Sequence, residues 1–119
     1  MKFMLLIHQG TAPTPRTPEE WAKVPEDEQK AVYADYQAIN ETPGVSPGQQ
    51  LSPPESAKTV RVEDGRTLTT DGPFAEVKEA IAGYLMFEAD DVDAAVELAA
   101  RIPAARMGGA IEVRPIVEW

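Results

Sequence analysis

The chain has 119 residues and a mass of 13.0 kDa, enough for one domain with a real core and small enough that self-association would add to its stability. Its formal charge is -9, from 20 acids against 11 bases and one histidine, and no basic cluster offsets it, so the composition argues against a nucleic-acid partner. Cysteine is absent, which excludes disulfides, thiolate nucleophiles and cysteine-ligated zinc, and a lone His8 argues against a His-rich metal site.

The N-terminal apolar run, Phe3 to Ile7, is shorter than the roughly 7–15 residues of a secretory signal, and no stretch is long enough to span a bilayer. A soluble cytoplasmic protein without a membrane partner is therefore expected. Lys2 to His8 reads as a central strand, with Phe3, Leu5 and Ile7 on one face and Met4, Leu6 and His8 on the other. Thr11 to Thr17 holds two prolines and no period, which predicts a loop. Thr17-Pro18-Glu19-Glu20 has the pattern of a helix start, and Pro25 restarts or bends that helix. From Glu26 to Asn40, Val32, Tyr36 and Ile39 recur at helical spacing.

Thr42 to Pro54 carries four prolines and two glycines, so at most a short edge strand near Gln49 to Leu51 is expected. Lys58 to Thr70 alternates around Asp64-Gly65, the pair favoured in type I′ hairpin turns because both turn positions need positive φ. Ile81 to Ala89 predicts another strand. Asp90 and Asp91 then offer an N-cap to a helix with Val92, Ala95, Val96 and Ala99 as its apolar stripe, ending before Pro103. A last strand is expected from Ala110 to about Glu118.

This order predicts a single domain over residues 1–119, an α+β ferredoxin-like sandwich with an antiparallel sheet and an extra central β-hairpin. Helices would cover one sheet face and meet Phe3, Leu5, Ile7, Leu85, Phe87, Ile111 and Val113, provided no bulge shifts the register. The other face would carry Met4, Leu6, His8, Tyr84, Met86, Glu88, Glu112, Arg114 and Ile116. Such a mixture of apolar and ionisable groups predicts closure by a second subunit, hence a homodimer, with enclosed polar groups paired or lining a small-molecule pocket.

His8 can serve as a proton shuttle, or be a satisfied structural histidine. Asp71 can orient an imidazole or act as a base, or cap the turn that follows it. Phe74 is a core plug or a substrate platform. Tyr84 and Arg114 are candidate substrate contacts, Arg114 through bidentate binding of a carboxylate, although an ion pair with Glu112 or Glu88 is simpler. No phosphate-binding loop, metal-ligand spacing or nucleophile triad is present, so chemistry without cofactor or metal and plain binding both remain open.

The opening MKFMLLIH, the long segment TVRVEDGRTLTTDGPFAEVKEAIAGYLMFEADDVDAAVELAARIPAA and the closing GGAIEVRPIVE resemble the DGPF subgroup of the YCII-related domain family, most specifically at Asp71 to Phe74. The resemblance implies a ferredoxin-like fold of the dimeric α/β-barrel type, with two sheets facing each other across a two-fold axis. It also implies one of two functions. The first is an enzyme using a His and Asp pair in a cleft, for which His8 and Asp71 are the residues available. The second is a non-catalytic dimeric binding or regulatory module of the kind linked to extracytoplasmic-function sigma factors.

Overall fold

The computed structural model describes residues 1–8, 18–52, 54–72 and 81–119. In chain order its elements are β1 (Lys2–His8), α1 (Pro18–Ala22), α2 (Glu26–Glu41), β2 (Val45–Gln50), a 3-10 turn (Pro54–Ser56), β3 (Lys58–Glu63), β4 (Arg66–Asp71), β5 (Ile81–Glu88), α3 (Val92–Ala100), α4 (Pro103–Arg106) and β6 (Ala110–Pro115). Four strands form one antiparallel sheet in the order β2-β5-β1-β6, and β3 pairs with β4 as a separate hairpin. The protein is thus a mixed α+β fold, and its strand order is consistent with a ferredoxin-like arrangement.

The alternation in β1 and β5 places the core. Phe3 pairs with Phe87 and Leu5 with Leu85, so the four side chains form two rows on one sheet face. All four are buried, and they pack with Ile39 of α2, Ala95 and Leu98 of α3, and Ile102. Each large side chain so buried contributes about 1.5–3 kcal/mol. Ile7, Tyr36, Val45, Ile111 and Val113 pack around this cluster as partly buried neighbours, and the α2 stripe ends on the fully buried Ile39.

α3 is rotated relative to the expected stripe. Ala95, Leu98 and Ala99 are buried together with Ile102 just beyond the helix, whereas Val92 and Val96 are about half exposed. The stripe Ala95-Leu98-Ala99-Ile102 includes two large aliphatic side chains and turns them inward, which covers more apolar area than the competing stripe. Its N-terminus follows expectation: the Asp91 carboxylate accepts the Ala94 N–H at 2.8 Å. The chain then makes a further single turn, α4, with Pro103 at its start.

The edge strand β2 is longer than expected because it tolerates an irregularity at Pro47-Gly48, between the pairs Ser46–Met86 and Gln49–Tyr84. A Cβ added to Gly48 would lie 1.7 Å from the Tyr84 carbonyl oxygen, so only glycine permits this approach of β2 to β5. A second irregularity lies between β1 and β5: Ile7 pairs with Gly83 but His8 with Ile81, leaving Ala82 as an extra residue. The Ala82 carbonyl instead accepts the Leu51 N–H at 2.7 Å. β6 ends at Pro115, short of the expected Glu118.

The β3–β4 hairpin turns as its sequence requires, with φ of 50° at Asp64 and 74° at Gly65. Val60, Val62 and Leu68 on it are exposed, so its two strands hold each other rather than a core. Its base is tied by Gly72 N–H to the Ala57 carbonyl at 2.7 Å and by Thr59 Oγ1 to the Gly72 carbonyl at 2.8 Å. Among the described residues, no helix is long and apolar enough to cross a membrane.

Candidate functional site

β1 lies between β5 and β6, so side chains on its helix-free face have neighbours on both sides. Leu6 is directly opposite Tyr84 on one side and Glu112 on the other, and His8 is opposite Ala110. His8 and Glu112 are therefore diagonal neighbours on one face, within reach of each other. His8 Nε2 donates to Glu112 Oε1 at 3.1 Å. Because a carboxylate only accepts, this contact puts a proton on Nε2 and leaves Nδ1 as the basic nitrogen of the neutral ring. The other carboxylate oxygen, Glu112 Oε2, lies 3.6 Å from Arg114 Nε, an ion pair that further holds the carboxylate in place. The imidazole is mostly covered, at 20% exposure, while Glu112 is nearly half exposed.

His8 and Tyr84 also border a cleft of about 660 Å³ that runs from the end of the sheet to the helix layer. Its volume is in the range of small-molecule sites, about 300–1,000 Å³. The helix-facing row of β5 reads Gly83, Leu85, Phe87, and a Cβ at Gly83 would lie 2.9 Å from the Gln49 carbonyl oxygen, so glycine lets β2 approach β5 closely beside the cleft. Trp21 of α1 closes the outer wall. Its indole N–H donates to the Tyr33 hydroxyl at 2.9 Å, and the two rings meet edge to face with centroids 5.6 Å apart. Gln29 fixes the α1–α2 corner by donating to the carbonyls of Trp21 and Val24 at 2.9 and 3.0 Å.

Burial pushes the Tyr36 phenol above its usual pKa, partly offset by the Arg106 guanidinium, so it is a neutral hydroxyl at physiological pH. Arg106 is itself held by Asp35 at 2.6 Å. The described residues bordering the cleft include no Asp, Glu, Lys or Arg. Among the described residues, no cluster of three His, Asp or Glu side chains is placed to hold a metal ion.

Of the residues singled out from sequence, His8 and Tyr84 come together at this cleft, and Arg114 joins His8 through Glu112. Glu88 takes the N-terminal ammonium at 3.6 Å. Asp71 lies at the exposed base of the hairpin, where its carboxylate accepts from Lys58 Nζ at 2.6 Å, so His8 and Asp71 are held by different partners. Phe74 lies outside the described residues. Sequence reading passed over Glu112 as the partner of His8, although strand parity had put both on one face. It also missed Trp21 and Tyr33, whose contact joins two helices separated by Pro25 and has no signature in either helix alone.

A four-stranded antiparallel sheet with helices on one face, and an imidazole–carboxylate pair beside an aromatic cleft, defines a small α+β protein with a candidate small-molecule site. The YCII-related domain family matches residues 1–119, and the chain belongs to that family. It is also 33% identical over 101 residues to an uncharacterised protein of Rhizobium meliloti (strain 1021), covering 81% of this chain and 79% of that protein.

Proposed function

We propose that this YCII-related protein, of the DGPF subgroup, is a cofactor-independent enzyme that performs general acid–base chemistry on a small organic molecule. The observation that carries the reading is the 3.1 Å contact of His8 with Glu112 beside the cleft. Glu112 orients the ring and stabilises the imidazolium that forms when Nδ1 takes a proton, as a buried carboxylate does for catalytic histidines elsewhere. Tyr84 also borders the cleft and is proposed as a substrate contact. Asp71, engaged by Lys58, acts in this scheme only if that ion pair opens.

The active form is proposed to be a homodimer of the dimeric α/β-barrel type. Met4, Leu6, Tyr84, Met86 and Ile116 occupy the sheet face away from the helices, and a second copy packed across a two-fold axis would cover them.

Proton abstraction is detectable without knowing the reaction. Incubation with a metabolite mixture in deuterium oxide, followed by mass spectrometry, is expected to show deuterium entering at least one compound. His8→Ala is expected to lower that rate by about 10²–10⁴-fold. Equal incorporation by the variant, or none by either protein, would sink the reading. The alternative is a non-catalytic dimeric ligand-binding or regulatory module, including one linked to an extracytoplasmic-function sigma factor. It is favoured by the composition of the described cleft lining, which offers one imidazole and no carboxylate.

A further inference from the structure

Among the described residues, the cleft lining carries no Asp, Glu, Lys or Arg side chain. A ligand carrying a formal charge would surrender hydration on entering and meet no opposite charge among the described lining residues. Two acids adjoining lining residues are engaged: Asp35, next to Tyr36 in sequence, holds Arg106 at 2.6 Å, and Glu112 holds His8 at 3.1 Å. The chain's overall charge of -9 adds a general repulsion of anions. What the cleft does offer is aromatic surface, from Trp21, Tyr33 and Tyr36, and carboxamides, from Asn40, Gln49 and Gln50.

Aromatic walls pack best against another ring, edge-on or offset. Carboxamides supply donors and acceptors together and so match a neutral group that has both. We infer that the cleft takes an uncharged aromatic molecule, with its ring against Trp21, Tyr33 and Tyr36 and a neutral hydrogen-bonding group met by the carboxamides. This deepens the proposal above and rests on the cleft being its substrate site. The aromatic lining is not a cation cage, because the Trp21 and Tyr33 rings meet each other edge to face, at an interplanar angle of 82°.

The two tryptophans make the inference measurable, for Trp21 borders the cleft while Trp119 is fully exposed. Their indole N–H signals in a ¹H–¹⁵N spectrum are separable by the Trp119→Phe variant. Benzamide is compared with three other probes: benzoate and benzylammonium, which carry a charge of either sign, and cyclohexanecarboxamide, which lacks the aromatic ring. Benzamide is expected to shift the Trp21 signal and leave that of Trp119 unmoved, and to bind about tenfold or more tighter than each of the others, a difference of about 1.4 kcal/mol. Tyr36→Leu, and independently Tyr33→Leu at a more exposed position, are expected to weaken that binding. Equal or tighter binding of benzoate, benzylammonium or cyclohexanecarboxamide overturns the inference, as does an unshifted Trp21 signal with all four probes up to their solubility limits. Benzamide binding that survives in His8→Ala, in a protein that never catalyses deuterium exchange, upholds the ligand class while removing the acid–base reading.

Discussion

His8 and Glu112 are 104 positions apart in sequence, yet their side chains meet at 3.1 Å because β1 and β6 are adjacent antiparallel strands with both residues on one face. The pair is partly open to water, so its contribution to stability is expected to be small even if its contribution to catalysis is large. A double-mutant cycle with His8→Ala and Glu112→Ala, followed by urea unfolding, is expected to give a coupling below about 1 kcal/mol. A coupling several times larger would mean that the pair is a structural clamp.

The rotation of α3 yields a sharper contrast. Leu98→Ala removes a buried side chain and is expected to cost about 2–5 kcal/mol, whereas Val96→Ala on the exposed side is expected to stay within about 0.5 kcal/mol. Similar losses at the two sites in chemical denaturation would restore the stripe read from sequence alone.

That stripe marks the boundary of what the sequence could reveal. β1, β5, the hairpin turn and the Asp91 cap were legible because each is fixed by a local rule: alternation, positive φ at Asp64-Gly65, or a carboxylate before a helix. The face of α3 was not, because Val92 and Val96 fit the helical period as well as Leu98 and Ile102 do, and the choice belongs to the partner surface. β2 was nearly lost because Pro47 and Gly48 argue against a strand, and they are tolerated only at an edge where β5 approaches one side. In the site, parity brought His8, Tyr84, Glu112 and Arg114 to one face, but it could not say that Glu112 rather than Asp71 would hold the imidazole. The aromatic wall depends on the packing of α1 against α2, beyond the reach of any single periodicity.

Gly48 tests the edge directly. With a Cβ placed 1.7 Å from the Tyr84 carbonyl, Gly48→Ala must push β2 away from β5. The expected cost is about 1–3 kcal/mol, with faster amide exchange at Leu51, whose N–H is bonded to Ala82 at the end of the same edge. Unchanged stability and protection would mean that β2 does not pair closely there.

Tyr36 gives a dependence on alkaline pH. Its folded pKa is raised by burial above the usual tyrosine value of 10.0, so just above that pH the unfolded chain loses the phenolic proton while the folded one keeps it. The unfolded state then binds fewer protons, and stability falls as pH rises from the unfolded value toward the folded one. Comparing denaturation of wild type and Tyr36→Phe at neutral pH and above pH 10.0 isolates the effect from other titrating groups. The gap between the two proteins is expected to shift in favour of the variant at the higher pH, and a gap independent of pH would contradict the burial of the hydroxyl.

The proposed dimer turns on the sheet face opposite the helices. Leu6 is at its centre, flanked by Tyr84 on β5 and Glu112 on β6, and is only partly buried. If a second copy covers this face, an acid introduced at its centre would be buried without a partner, at a cost large enough to abolish association. In a monomer the same substitution would face water and change little, since the core rows of Phe3, Leu5, Leu85 and Phe87 lie on the other side. Light scattering of the wild type is therefore expected to give about twice 13.0 kDa and Leu6→Asp the monomer mass, with thermal stability of the wild type rising with concentration. A wild-type mass of 13.0 kDa at micromolar concentration, with the fold intact by circular dichroism, would remove the two-fold barrel and leave the cleft beside His8 as a site within one chain.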